Sequence, residues 1–191
     1  MLLSQNIEEA TAVIQSLIGL TAQVEIASQL IGGALTSGHK LLACGNGGSA
    51  TDAAHFTTEF VCRYDQDRRP YPAICLTTQG GDLTAIGNDH EFDEIFARQV
   101  EAFAHKGDVF VVFSTTGNSE NVRRALVAAE RKRVKSIALL GRDGGRSRGL
   151  ASVELIVRSD VTARIQEAHH LLLHTICEMV ELNLQAYSKT L

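Results

Sequence analysis

The chain has 191 residues, of which 45% are hydrophobic and 21% are charged, and its formal net charge is −4. These values are typical of an ordinary globular protein, and the length suits one domain with a sizeable core better than two. Because the net charge is negative, bulk charge gives no indication of nucleic-acid binding. We expect a single domain over residues 1–191.

The cysteines and the N-terminus indicate the compartment. Cys44, Cys62, Cys75 and Cys177 have no C-x-x-C spacing, which argues against a zinc knuckle or a disulfide framework. Reduced thiols are typical of a cytoplasmic protein. The N-terminus turns acidic at Glu8 without a basic region, unlike a signal peptide, and no apolar run approaches the roughly 20 residues of a membrane span. We expect a cytoplasmic protein without membrane or nucleic-acid partners.

The N-terminal region, residues 5 to about 36, has apolar residues at helical spacing with a break near Gly19. Two helices before the first strand are more than a compact single sheet requires. We expect their apolar stripes to pack against another subunit.

The remainder, residues 39–187, alternates between strand and helix patterns. Predicted strands are 41–44, 71–77, 108–114, 134–140 and 153–157, and predicted helices include 83–87, 92–105, 119–133 and 163–184. The last strand alternates in polarity, which places it at an edge, whereas 108–114 is continuously apolar and buried on both faces. This order predicts an α/β fold with a parallel, doubly wound sheet of five strands and right-handed crossovers.

A glycine-rich segment, residues 45–49, follows the first strand and is called the glycine loop here. Its sequence Gly-Asn-Gly-Gly-Ser allows backbone N–H groups to approach an anion at the start of the next helix. Two other interpretations exist. Ser49 can simply be the N-cap of that helix. The segment also fits the dinucleotide fingerprint, but the second strand ends on Thr77 and Thr78 rather than on an acid, which makes that interpretation weak.

A second segment, residues 114–119, is rich in hydroxyl groups and is called the hydroxyl loop. Ser114, Thr115, Thr116 and Ser119 surround Gly117 with no Lys or Arg among them. Hydroxyls and backbone N–H groups together suit a phosphate monoester. N-capping would explain Ser119 but none of the other three. Because both loops follow parallel strands, they lie at the edge where open sheets bind ligands.

Two predicted helices carry residues suited to metal or acid/base chemistry. On the first, His55 and Glu59 are four residues apart and share a face. On the closing helix the candidates are Gln166, His169, His170 and His174. Two histidines, a glutamate and a glutamine can surround zinc, and a Glu–His pair can act as base and acid without metal. Each residue alone is better explained as a hydrogen-bonded core or surface group, and only the pairs on two separate helices favour a site.

Asn88 and Asp89 lie in a polar break between two helical segments. These residues can form a turn or a cap, and they can also bind sugar hydroxyls. The sequence does not decide between these roles.

Five motifs together resemble the sugar isomerase (SIS) domain family and, within it, the phosphoheptose isomerases. They cover residues 44–49, 52–56, 85–89, 114–119 and 163–169, and the resemblance extends from about residue 5 to 187. It implies a flavodoxin-like three-layer fold and a homotetramer with active sites at subunit interfaces. It also implies conversion of sedoheptulose 7-phosphate to D-glycero-D-manno-heptose 7-phosphate, towards heptose for lipopolysaccharide.

The resemblance also implies roles for individual residues. One zinc ion per subunit would be bound by His55, Glu59, Gln166 and His174, and Glu59 and His174 would be the acid/base pair. Substrate would contact Asn46, Gly47, Gly48, Glu59, Asn88, Asp89, Ser114, Thr115, Thr116, Ser119 and Gln166. Family members often carry an acid just before Arg164, where this chain offers only Asp160.

Two non-enzymatic functions compete with this interpretation. A bacterial protein that binds the replication initiator DnaA shares the fold and both the Gly-Asn-Gly and Ala-Arg-Ile-Gln-Glu stretches. Its pattern lacks residues equivalent to His55, Glu59 and His174, all of which this chain has. A sugar-phosphate-sensing regulator would need a fused DNA-binding segment, for which we expect no room in this chain.

Overall fold

A computed structural model describes residues 1–188, with side chains to residue 184, and contains one parallel five-stranded sheet. The strands are β1 (Leu41–Gly45), β2 (Ala73–Cys75), β3 (Val109–Ser114), β4 (Lys135–Gly141) and β5 (Val153–Val157), in the spatial order β2-β1-β3-β4-β5. This is the flavodoxin-like order, and it confirms the predicted fold class. As predicted from its alternating polarity, β5 lies at an edge.

Within residues 1–188, seven α-helices cover the two faces of the sheet. They are α1 (Leu2–Ser16), α2 (Thr21–Thr36), α3 (Gly48–Val61), α4 (Gly80–Asp89), α5 (Ala97–Phe103), α6 (Glu120–Arg131) and α7 (Thr162–Ser188). Successive strand residues point to opposite faces, so Leu41 and Val111 pack with α2, α3 and α7, whereas Leu42 and Val112 pack with α5 and α6. These two cores make the three layers, and they place α3 and α7 on the same face.

Three elements differ from their predicted bounds. Strand β2 is an edge strand of three residues instead of seven, and its late start follows from Pro70 and Pro72, which precede it and have no N–H to donate. Helix α4 extends through Asn88 and Asp89, so these residues end a helix rather than filling a break. The predicted helix 92–105 is a short 3-10 turn, Phe92–Glu94, followed by α5.

The N-terminal helices expose apolar side chains. No residue of α1 is buried, and Leu2, Leu3 and Ile7 are among the large hydrophobic residues at the surface. A 3-10 turn, Leu17–Leu20, makes the break predicted near Gly19. By length and composition alone, the helical segment Leu2–Thr36 is apolar enough to cross a membrane, a test that a core helix or a signal sequence also passes. The four cysteines are free, as predicted.

Candidate active site

The glycine loop connects β1 to α3 through a tight turn. Gly47 has φ +57° and is the residue before α3, so it adopts a backbone conformation that L side chains rarely take. Ser49 is the second residue of α3, the N-cap is Gly47, and the helix start has no side-chain cap. The interpretation of Ser49 as an N-cap is therefore wrong. The first turn of α3 lies at the carboxyl edge of the sheet, and the N–H groups of Ser49 and Ala50 donate to the carbonyls of Asn46 and Gly47, both at 3.0 Å.

The hydroxyl loop connects β3 to α6 at the same edge. The Oγ of Ser114 accepts a hydrogen bond from the N–H of Gly117 at 3.1 Å, and the Oγ1 of Thr116 accepts one from Asn118 at 3.1 Å. Ser119 precedes α6 but makes no side-chain cap bond. Since an accepting hydroxyl still has its own hydrogen to donate, these groups remain able to donate to a bound anion.

A pair of amides joins the two loops. The Nδ2 of Asn46 donates to Oδ1 of Asn121 at 2.8 Å, and the Nδ2 of Asn121 donates back to Oδ1 of Asn46 at 3.1 Å. Asn121 is 1% exposed, and its Oδ1 also accepts the N–H of Val122. The sequence analysis missed Asn121, since an Asn near a helix start is ordinarily explained by local capping. The contact orients Asn46, which was predicted to bind substrate.

Four side chains from α3 and α7 form a compact group that we call the histidine cluster: His55, Glu59, His170 and His174. The Nε2 of His55 lies 3.0 Å from Nε2 of His174 and 3.0 Å from Oε1 of Glu59. The His170 ring centroid is 4.9 Å from that of His55 and 4.5 Å from that of His174. The structure thus brings together three of the four residues predicted to bind metal.

The fourth of those residues, Gln166, lies one turn before His170 on α7. A Cβ at Gly48 would be 2.0 Å from Nε2 of Gln166, so the glutamine amide packs directly on the start of α3. Only glycine at position 48 permits this approach. Gln166 therefore lies beside the glycine loop.

The other candidate histidine of α7, His169, faces the core. It is fully buried with its ring 6.2 Å from that of Phe113, and burial lowers the pKa of His169 to about 4. A neutral imidazole in this position is a core group, although neither ring nitrogen has a hydrogen-bond partner among the described residues.

Burial and neighbouring charged groups shift the pKa values of two residues in and beside the histidine cluster. Burial, followed by the nearby imidazoles of His170 and His55, lowers the pKa of His174. The neighbouring carboxyl of Asp52 is 8% exposed, and burial raises its pKa against the opposing effect of a hydrogen bond with His170. Both shifts favour the uncharged form of the group. A neutral imidazole is also the form that binds a metal ion.

The donor set of the cluster fits a zinc ion. The ligand atoms of tetrahedral zinc lie about 2.0–2.2 Å from the metal and hence about 3.3 Å from one another. The two 3.0 Å spacings around His55 are close to this value. Two imidazole nitrogens and a carboxylate oxygen are also typical zinc ligands, and one proton on His55 cannot make two straight hydrogen bonds at once. The arrangement therefore fits a shared cation.

A second polar contact between α3 and α7 holds the end of α3 that carries Glu59. The Nη2 of Arg68 donates to the carbonyl oxygen of Glu59 at 2.7 Å, and its Nε donates to Oε1 of Glu181 at 2.9 Å. Oε2 of Glu181 accepts the N–H groups of Asp65 and Gln66, both at 3.0 Å. We call this group the Arg68–Glu181 anchor. No sequence motif indicated it, because its members are far apart in the chain.

Asn88 and Asp89 are exposed at the end of α4. Their side chains hydrogen-bond to each other, Nδ2 of Asn88 donating to Oδ1 of Asp89 at 2.8 Å. Among the hydrogen bonds of the described residues, none joins this pair to the glycine loop or the hydroxyl loop. Their predicted role in substrate binding stays a prediction.

Comparison with known sequences gives a consistent family. Residues 5–141 match the SIS domain. A phosphoheptose isomerase of Citrifermentans bemidjiense is 52% identical over 162 residues, covering 85% of this chain and 84% of that protein. A phosphoheptose isomerase of Geobacter sulfurreducens is 49% identical over 162 residues, covering 85% of this chain and 86% of that protein.

Comparison with solved structures gives the same family as the sequence comparison. A phosphoheptose isomerase from Francisella tularensis superposes with a TM-score of 0.90 at 34% identity, covering 94% of this chain and 96% of that one. The phosphoheptose isomerase of Neisseria gonorrhoeae superposes with a TM-score of 0.87 at 40% identity, covering 94% of this chain and 97% of that one. None of these four relatives is a DnaA-binding protein.

Proposed function

This chain belongs to the SIS domain family and, within it, to the phosphoheptose isomerases, and on that basis we propose that it converts sedoheptulose 7-phosphate to D-glycero-D-manno-heptose 7-phosphate. The observation that carries the proposal is the convergence of His55, Glu59 and His174 on one point, with 3.0 Å spacings, between two helices. A DnaA-binding relative would not need these three residues. Relatives about 50% identical to this chain are phosphoheptose isomerases, which shows that the protein is an isomerase.

The reaction needs a base and an acid on the same side of two adjacent carbons. In the ketose-to-aldose direction a proton leaves C1, an enediol forms, and a proton is added at C2. Glu59 would take the C1 proton and return it at C2, while His174 would donate a proton to the C2 oxygen and take one from the C1 hydroxyl. Nε2 of His174 lies 3.0 Å from Nε2 of His55, which in turn lies 3.0 Å from Oε1 of Glu59, so the two groups of this exchange are close together.

Zinc is proposed as the metal, bound by His55, Glu59, His174 and Gln166. When bound, a zinc ion supplies a positive charge that polarises the carbonyl and hydroxyl oxygens of the sugar. His55 and Glu59 come from α3, and Gln166 and His174 come from α7, so the site depends on the packing of these helices. Its donor spacing supports the assignment.

The two loops would hold the substrate away from the reacting carbons. In the hydroxyl loop, Ser114, Thr115, Thr116 and Ser119 would bind the phosphate with their hydroxyls and the start of α6. In the glycine loop, Asn46, Gly47 and Gly48 would hold the sugar, with Gln166 beside them. Fixing the phosphate remotely orients C1 and C2 at the acid/base pair, which contributes much of the rate of such reactions.

The assembly is proposed to be a cytoplasmic homotetramer with sites at subunit interfaces. The exposed apolar residues of α1, among them Leu3 and Ile7, support it, because a subunit contact would remove them from water. Asn88 and Asp89 would complete the substrate site from an interface. The heptose product would serve lipopolysaccharide precursor synthesis.

Turnover of one substrate tests the proposal. Purified protein containing zinc is incubated with sedoheptulose 7-phosphate, and the aldose heptose 7-phosphate is detected by NMR. We expect aldose to accumulate to equilibrium with the wild type and not with Glu59→Gln. Failure of the zinc-containing wild type to form aldose contradicts the proposed function.

A further inference from the structure

His170 lies inside the histidine cluster, and the proposed donor set does not use it. One ring nitrogen each of His55, His170 and His174 lies within 4.8 Å of the others. The His170 side chain is 44% exposed, so neither burial nor core packing explains an imidazole at this position. A third histidine beside two proposed ligands calls for a chemical role.

The register of the two helices explains how His170 reaches this position. Helices α3 and α7 run parallel, and their contacts pair Gly48 with Gln166, Asp52 with His170, and His55 with His174. At 1.5 Å per residue, His170 is about 6 Å along the axis from His174, whereas Gln166 is about 12 Å away. His170 is thus the α7 side chain next to the pair formed by His55 and His174.

The carboxyl group of Asp52 lies beside the His170 ring. Its Oδ1 lies 3.4 Å from Nδ1 of His170, and its other oxygen, Oδ2, is buried without a hydrogen-bond partner among the described residues. Asp52 is 8% exposed, so a carboxylate is placed here at a cost in solvation. An imidazole that donates its Nδ1–H to a carboxylate keeps the lone pair of Nε2 free, which is the usual arrangement behind a metal-bound histidine.

We propose that His170 is a further ligand of the metal in the histidine cluster and that Asp52 is its positioning residue. The inference rests on the proposed function for the presence of a metal, and it adds a nitrogen donor to the proposed set of His55, Glu59, Gln166 and His174. A third imidazole makes the site richer in nitrogen, which suits zinc and Co²⁺ better than Mg²⁺ or Ca²⁺.

Metal affinity measured without substrate tests the role of His170. The zinc dissociation constant is determined by competition with a chromophoric chelator for wild type, His170→Ala and Gln166→Ala. We expect His170→Ala to weaken zinc binding about 100-fold, the upper range for groups that support a metal site. The control is His105→Ala, which removes an exposed imidazole beside Lys40, and it should leave the constant unchanged.

The visible spectrum of the Co²⁺-loaded protein gives an independent measurement. Loss of a nitrogen ligand changes the position and strength of the d–d bands, whereas loss of a side chain that only packs nearby leaves them in place. We expect altered bands in His170→Ala and wild-type bands in His105→Ala. Circular dichroism of the metal-free proteins shows that each variant is folded.

Asp52→Asn tests the positioning role. It should weaken zinc binding about 10-fold in the wild-type background and have no effect when His170 is already alanine. A loss of the same size in both backgrounds would mean that Asp52 acts independently of His170, and it would overturn the positioning role.

Two results would overturn the ligand assignment. The first is a zinc affinity of His170→Ala within twofold of wild type, with unchanged Co²⁺ bands, while His55→Ala and His174→Ala lose the metal. The second is a wild-type protein that binds neither ion. Neither result depends on sugar turnover, so a failure here is distinct from a failure of the proposed isomerase activity.

Discussion

Helices α3 and α7 meet through two polar groups that differ in how completely their atoms are paired. In the Arg68–Glu181 anchor, both oxygens of Glu181 accept hydrogen bonds and Arg68 donates through three nitrogens. In the histidine cluster, Nε2 of His55 faces both Nε2 of His174 and Oε1 of Glu59, and the neighbouring Asp52 has a buried oxygen without a hydrogen-bond partner among the described residues. The anchor is satisfied by the protein itself, whereas the cluster needs a proton or a cation.

Within one pair of helices, the Arg68–Glu181 anchor therefore serves stability and the histidine cluster serves function. A buried charge with all its partners present contributes to the fold, and removing one partner leaves the other uncompensated. A cluster of nitrogen and oxygen atoms that share too few protons contributes little to the stability of the fold until it binds a cation. Variants of the two groups should therefore change different measurements.

The largest expected effect is on turnover. Glu59→Gln keeps the size of the side chain but cannot take a proton, so we expect kcat to fall by at least about 10³-fold, equivalent to about 4 kcal/mol. The matched control is Glu178→Gln, an exposed carboxylate on α7, which should retain wild-type kcat. Steady-state kinetics measure both, and a Glu59→Gln kcat within tenfold of wild type would contradict the assigned base.

The next effect is on folding stability. Arg68→Met removes the guanidinium that links Glu181 to the carbonyl of Glu59, and it leaves a buried carboxylate without its cation. We expect the free energy of unfolding to fall by about 3 kcal/mol. Urea denaturation of the metal-free protein measures it. Arg69→Met is the control, since Arg69 lies over the Tyr71 ring at the surface, and it should cost less than about 1 kcal/mol.

The third expected effect is stabilisation by zinc, which should depend on the histidine cluster and not on the Arg68–Glu181 anchor. Zinc at 100 times its dissociation constant should stabilise the wild type by about 2.7 kcal/mol, because it binds only the folded state. Arg68→Met should show the same increment from its lower baseline, whereas His55→Ala should show none. Thermal melts with zinc and with a chelator measure this. Equal increments in the wild type and His55→Ala would place the metal outside the cluster.

The smallest effect is a pH dependence of stability that belongs to the anchor. Burial opposes the charge on Glu181, but the N–H groups of Gln66 and Asp65 and the Arg68 guanidinium together lower its pKa. A lowered pKa gives stability that is complete above the ordinary glutamate value of about 4.3 and is lost as pH falls through the folded value. Glu181→Gln should therefore be less stable than wild type at pH about 6 and approach it in acid. A difference that stays constant in urea melts between pH about 6 and 3 would contradict this.

Local patterns were sufficient for most of the fold. The apolar runs of β1, β3, β4 and β5 and the helical spacing between them predicted a parallel five-stranded sheet, because crossovers of that length leave few other topologies. Prediction was weaker for β2 and for residues 92–105. In these two segments, tertiary context rather than residue spacing decides the secondary structure. An edge strand such as β2 pairs with only one neighbour, and a 3-10 turn interrupts the helical periodicity of residues 92–105.

Sequence alone was sufficient for the parts of the site whose residues are close together in the chain. His55 and Glu59 share a face because helices repeat every 3.6 residues, and the two loops follow strands whose ends meet at one edge. Tertiary structure alone decided which distant groups meet: Asn46 with Asn121, Asp52 with His170, and Arg68 with Glu181. These pairs depend on the register of α3 against α7 and of one loop against the other, and packing of whole elements sets that register rather than any short motif.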